Sequence, residues 1–144
     1  ARSFENDPIR KYDAPSSDKN IIGFENMINW NVPVVLCEGA FDAIVAGTNA
    51  VPLLGSTLRD SSKLLQEIVK NDTTVYMALD PDARKKEDKI MTLLLNYGIE
   101  VYKVDLSEYN DVGEMPPSVF QERKEKSPLV EDKFYLLTER LFSL

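Results

Sequence analysis

The 144-residue sequence has no histidine and one cysteine. Without histidine, Ser-His-Asp and Cys-His catalysis are excluded. With a single thiol besides, a zinc site of the usual kind is nearly excluded. One cysteine also rules out an internal disulfide framework. Cys37 closes an apolar run and reads as a buried, reduced thiol. No apolar run approaches the length needed to cross a bilayer, and no signal peptide is visible. Internal repeats, coiled-coil heptads and low-complexity tracts are absent as well. Positive charge is in deficit, with 17 Lys and Arg against 24 Asp and Glu and a net charge of −7. That argues against a generic nucleic-acid binder but leaves room for an enzyme that meets phosphates through bound metal. The chemistry left must rest on carboxylates, Lys, Arg, Tyr or hydroxyls. Carboxylate-rich sites suit hard divalent cations such as Mg²⁺.

What is present is an ordinary globular composition in a length that predicts one domain with a real core. The chain opens on Ala1 rather than Met, which reads as a processed protein or a piece of something longer. Residues 1–20 are polar, with Pro8, Pro15 and a Ser-Ser pair, and are expected to be extended or irregular. "IIGFENMINW" (21–30) is expected to form a short helix. "VPVVLC" (32–37) is β-branched and apolar without alternation, the pattern of a strand buried on both faces. A helix follows in "AFDAIVAGT", with Phe41, Ile44 and Val45 on one face. Then come a short strand in "AVPLLG", a helix over "STLRDSSKLLQEIVKN", a strand in "TTVYMALD" and a helix over "ARKKEDKIMTLLLNYG". A fourth strand in "IEVYKVDL" and helices in "SVFQERKEKS" and "VEDKFYLLTERLFSL" complete the reading. Alternating strands and helices predict an α/β fold: a mostly parallel central sheet of about four strands with helices on both faces. Tyr76, Tyr97 and Tyr102 are expected to pack in or beside core elements.

In such sheets ligands bind outside the carboxyl ends of the strands. Glu38 stands just past the first strand, Asp80 and Asp82 end the third, and Asp111 follows the fourth after a loop. In an extended segment residues two apart point the same way, so Asp80 and Asp82 are expected to face one point, with Pro81 between them. Clustered carboxylates repel and raise one another's pKa unless a cation neutralises them. Each acid taken alone also reads as a helix cap: Glu38 and Asp42 near one helix start, Asp82 near another. Convergence of several at one edge favours a metal or proton-transfer site. Arg84, Lys85, Lys86 and Lys89 open the next helix and read either as phosphate or nucleic-acid contacts or as a solvated face.

The longer pattern carries a resemblance. An apolar strand ends in Glu-Gly, followed by Phe-Asp and "LLGSTL"; a second apolar strand ends in Asp-Pro-Asp-Ala, and "NDVGEM" comes later. Over about residues 32–115 this resembles the Toprim domain of primases, type IA and II topoisomerases, OLD-family nucleases and RecR-like proteins, most of all the primases carried by bacteria and phages. Upstream, "RKYDAPSSDK" is similar to a primase segment, with Asp13 and Ala14 in place of its usual Leu-Asn. "ARKK" stands where cellular primases have Ala-Gly after the second acid pair.

The resemblance implies a division into residues 1–30 as a partial upstream primase segment or linker, 31–116 as the Toprim domain and 117–144 as a C-terminal helical extension. It implies Glu38, Asp80 and Asp82 as catalytic residues, the same three with Asp111 as ligands of Mg²⁺ or Mn²⁺, and Asp42, Gly39, Gly55 and Glu114 in support. Lys11 and Lys19 fall at basic positions near template or nucleotide phosphates, and Arg84, Lys85 and Lys86 are assigned the same role. The activity implied is primer synthesis from nucleoside triphosphates on a single-stranded DNA template. A replicative helicase is the further partner, and the setting is the cytoplasm of a bacterial cell or phage-infected host, away from membranes. A metal-dependent nuclease on the same site and a non-catalytic Toprim assembly module stay open beside it.

Overall fold

The computed structural model describes residues 22–131. Lys11, Lys19, most of the upstream segment and all but the first two residues of the expected last helix lie outside the described residues, and the first of those two, Val130, is in a strand. The first element is the strand β1 (Val34–Cys37), followed by the helix α1 (Ala40–Ala46) and the strand β2 (Ala50–Pro52). After them come α2 (Lys63–Asn71), β3 (Val75–Ala78), α3 (Arg84–Asn96) and β4 (Val101–Lys103). The helix α4 (Pro117–Glu125) and the strand β5 (Leu129–Val130) close the described chain. The sheet order is β2-β1-β3-β4-β5. Four strands are parallel, and β5 adds antiparallel to β4 through Val101↔Val130 and Tyr102↔Leu129. The mostly parallel sheet flanked by helices is as expected, with five strands where about four were read. The fifth is two residues long and follows Pro128, too short to leave a periodic signal.

All four residues of β1 are buried, because helices cover both faces of the sheet. Alternate side chains enter different cores. Val34 and Leu36 join Val51, Val75 and Met77 against Leu65 and Ile68 of α2 and Ile90, Met91 and Leu94 of α3. Val35 and Cys37 face the other way, with Ala43 and Ala46 of α1, Val112, Met115 and Phe120 of α4. No helix among the described residues is long and apolar enough to cross a membrane.

Three local expectations are corrected. Residues 21–30 do not make a helix: a single 3₁₀ turn, Glu25–Met27, is all that forms in the described part. The Asn49 side chain instead pins this stretch, accepting from Asn29 N at 2.6 Å and donating to Pro33 O at 2.9 Å. The second helix starts at Lys63, not in the 56–62 stretch. Leu54 and Gly55 take positive φ angles of 55° and 85°, and Ser56 and Ser62 hydroxyls bond to nearby backbone. Short polar side chains compete in this way with helical hydrogen bonding.

The third correction concerns α1. Phe41 and Ile44 face solvent, at 80% and 67% exposure, and Val45 is half-buried. Ala43 and Ala46 turn inward with Asp42. Small side chains let α1 lie close to the sheet, and the Asp42 carboxylate, accepting from Gly39 N and Gly113 N, fixes the helix's rotation. We expect Phe41→Ser to change stability by less than about 0.5 kcal/mol, whereas Phe120→Ala should cost about 3–5 kcal/mol. Urea unfolding of both variants checks which aromatic side chain belongs to the core.

Candidate functional site

The site begins with the pairing of β1 and β3. Cys37 lies opposite Ala78 in a parallel register, so the two chains leave the sheet side by side, one into Glu38 and the other through Leu79 into Asp80. β2 extends this edge, with Leu53 N donating to Cys37 O and Leu54 N to Glu38 O, both at 2.8 Å. Parallel strands with one shared direction therefore deliver acids to one place.

Asp80 is the electrostatic centre. Its Oδ1 is buried and accepts no hydrogen bond among the described residues. Its carboxyl is pushed from the ordinary 3.8 up to about 6 by burial first, then by the charges of Asp42, Glu38, Asp111 and Asp82 in that order. All the acids singled out by position in the sheet thus act on one group. The same surroundings push the Cys37 thiol far up, through burial and then Asp42, Asp80 and Glu38. That thiol stays protonated and inert.

Each neighbour is placed by its own local device. Asp42 is buried and accepts from two backbone donors, Gly39 N at 2.9 Å and Gly113 N at 2.8 Å. It therefore ties the start of α1 to the 110–114 loop. A Cβ at Gly113 would come within 3.1 Å of Asp42 Oδ1 and 3.3 Å of Asp111 Oδ1, so glycine is what permits the approach. Asp111 accepts from Glu114 N at 2.9 Å, capping the 3₁₀ turn Val112–Glu114. Glu114 in turn accepts from Asn110 N and Asn110 Nδ2, contacts that hold its carboxyl below the usual range. Glu114 thus closes its own loop. Gly55 lies in the turn after β2 with nothing within 4 Å of the place a Cβ would take; its positive φ is its requirement.

Asp82 is placed differently from expectation. The chain does not stay extended beyond Asp80 but enters a 3₁₀ turn, Pro81–Ala83, and Asp82 is exposed there. Pro81 at the first position of that turn explains the change, since its fixed φ favours the start of a helix. Asp82 is accordingly the weakest of the four charges acting on Asp80.

Arg84, Lys85 and Lys86 occupy the first turn of α3. Arg84 and Lys85 are exposed, while Lys86 reaches inward to Glu38 at 3.1 Å. Sequence reasoning did not foresee this pair, which joins residues 48 positions apart. Glu87 is a second omission. It is buried, pairs with Lys103 of β4 and accepts from Leu79 N at 3.3 Å, so it holds the strand end that carries Asp80. It stands in the charged first half of α3, and only the fold distinguishes it from its exposed neighbours. Tyr76 and Tyr102 stack at 5.0 Å on neighbouring strands, whereas Tyr97 is exposed and donates to Asp60 at 2.9 Å.

As they stand, no three His, Cys, Asp or Glu side chains among the described residues form a group able to hold a metal ion. Glu38 is engaged by Lys86, and Asp42 and Asp111 are engaged by backbone donors. Asp80 keeps a bare buried oxygen, the one feature here that still wants a cation or a proton. Hard carboxylate oxygens without imidazole are the donor type that Mg²⁺ and Mn²⁺ take.

No family model matches the chain, and no curated protein matches it. Among solved structures it is similar to the crystal structure of the Aquifex aeolicus primase, zinc-binding and RNA polymerase domains, at 26% identity and a TM-score of 0.60. The similarity covers 74% of this chain and 28% of that one. The chain therefore has a primase-like fold and spans less than a third of that primase structure.

The raised Asp80 carboxyl has a signed consequence. Below pH 3.8 it is neutral both folded and unfolded; as pH rises toward about 6 the unfolded chain loses the proton first, so folding stability falls. Above that window the cost is constant. In metal-free buffer Asp80→Asn should therefore melt higher than the parent, with a difference that grows between pH 4 and pH 6 and then levels. A melting series over that range checks this; a variant that melts lower throughout would identify Asp80 as a structural cap.

Proposed function

We propose that the chain is the catalytic Toprim portion of a DNA primase, making short RNA primers on single-stranded DNA by metal-dependent nucleotidyl transfer. The observation that carries this reading is the bare buried oxygen of Asp80, set among four further carboxylates where parallel strands end. The likeness to the Aquifex primase supports it. Phosphoryl transfer asks little covalent chemistry of a protein and much positioning of charge. An acidic edge with no imidazole suits that demand.

In this reading Glu38, Asp80 and Asp82, with Asp111, hold Mg²⁺, and Mn²⁺ can substitute. The ion supplies charge neutralisation and orientation for the triphosphate. Asp42 keeps its hydrogen bonds to Gly39 and Gly113 throughout and acts as the brace of the site. Glu87 keeps the Asp80 strand end in place through Leu79. Arg84 and Lys85, exposed at the start of α3, meet phosphates of nucleotide or template. Lys11 and Lys19 have the same role upstream. The partners are a single-stranded template, nucleoside triphosphates and a replicative helicase, in the cytoplasm of a bacterial or phage-infected cell.

In the full natural protein, Glu38→Gln should abolish primer synthesis while leaving template affinity nearly intact. The amide keeps the shape but loses the charge and the proton-accepting capacity, whereas affinity comes from basic residues elsewhere. Ribonucleotide incorporation and template binding, measured at one salt concentration, separate the two. Primer synthesis at the parent's rate would remove Glu38 from the mechanism. Nucleolysis by the parent without primer synthesis would make the site a nuclease.

A further inference from the structure

We propose that Lys86 is a built-in counter-cation: its ammonium neutralises Glu38 while no divalent ion is bound, and its departure sets the site's metal affinity. The proposal rests on the metal-dependent reading above and adds to it a competitor carried by the chain itself.

Two observations support it from different directions. The first is geometry. Lys86 Nζ lies 3.1 Å from Oε1 and 3.4 Å from Oε2 of Glu38, so a single ammonium serves both oxygens of that carboxylate. Both side chains are about four-fifths buried, with 23% and 20% exposure, so solvent screens the pair less than a surface pair. The second is placement. Lys86 sits with Arg84 and Lys85 in the first turn of α3, where the helix dipole disfavours positive charge. For Lys86 that unfavourable placement is offset by the Glu38 carboxylate it reaches. Of the three, Lys86 is the one that turns inward.

The pair also divides the acids. Asp80, one strand away, keeps a bare oxygen, while Glu38 is already neutralised. This accounts for a group of acids that act together on Asp80 yet, among the described residues, offer no ready set of three ligands. Glu38 becomes available to a divalent ion only in the fraction of molecules whose Lys86 has swung away. A binding-competent state that is fractionally populated weakens apparent affinity by that fraction. Lys86 thus holds the metal-free protein together at this edge and makes metal binding conditional.

The test is calorimetric titration of Mn²⁺ into the parent, Lys86→Met, Lys86→Arg and Lys89→Met at one pH and ionic strength. Methionine keeps the length of the side chain without the charge, and Lys89 is an exposed cation further along the same helix. Lys86→Met should bind Mn²⁺ about tenfold more tightly, by loss of the competitor. Lys86→Arg should stay near the parent, and Lys89→Met should shift affinity less than about twofold, since exposed charges are screened. Unchanged or weaker binding by Lys86→Met, with a parent that binds Mn²⁺, overturns the counter-cation and leaves the metal site standing. No heat from any of the four proteins overturns both. Crystals of the parent soaked in Mn²⁺ give a readout independent of any variant's folding. Lys86 Nζ should move beyond ion-pair distance from both Glu38 oxygens; a bound ion with the pair intact overturns the proposal.

Discussion

Repulsion among carboxylates at one end of a parallel sheet is the constraint around which this molecule is arranged. The register of β1 against β3 makes the repulsion unavoidable, because it brings Glu38 and Asp80 out of the sheet as neighbours. Asp42, Asp111 and Asp82 add to it from a helix, a loop and a turn. Such a gathering lowers stability wherever it is left uncompensated. The architecture around it is a set of partial compensations, each made by a different residue.

Backbone donors satisfy two of the acids. Asp42 takes N–H groups from Gly39 and Gly113, and Asp111 takes one from Glu114. The cost of that solution is steric: a Cβ at Gly113 would crowd the Asp42 and Asp111 carboxylates, and α1 presents Asp42 inward, which leaves Phe41 and Ile44 in solvent. An ammonium satisfies Glu38. Lys103 satisfies Glu87, and Glu87 in turn anchors the backbone just before Asp80. Among the described residues, Asp80 is the central acid left with a buried oxygen that has no hydrogen-bond partner. Glu38, Asp42 and Asp111 are thus compensated, while this oxygen of Asp80 stays open.

Much of this was legible in the sequence, for identifiable reasons. Continuous β-branched runs such as "VPVVLC" told of a sheet covered on both faces, and the alternation with helices told of parallel strands. Acids placed at strand ends then had to share an edge, with no need of side-chain detail. What failed was local. Phe41, Ile44 and Val45 share a face of α1, but periodicity does not say which way that face turns; two alanines and a doubly bonded aspartate decided its rotation. The extended reading of Asp80 and Asp82 failed because Pro81 begins a 3₁₀ turn. The pairs Lys86–Glu38 and Lys103–Glu87 join residues far apart in the chain, and a single sequence carries no signal for such partners.

The central claim is that the acids converge on Asp80 and that a divalent cation relieves them. Selective ¹³C labelling of aspartate carboxyls, followed by NMR titration with and without Mg²⁺, measures this directly. Without metal the Asp80 carboxyl should titrate near pH 6, well above the ordinary 3.8. With saturating Mg²⁺ its midpoint should move down, because a bound cation favours the ionised form. A midpoint at the ordinary value that ignores Mg²⁺ would contradict the account.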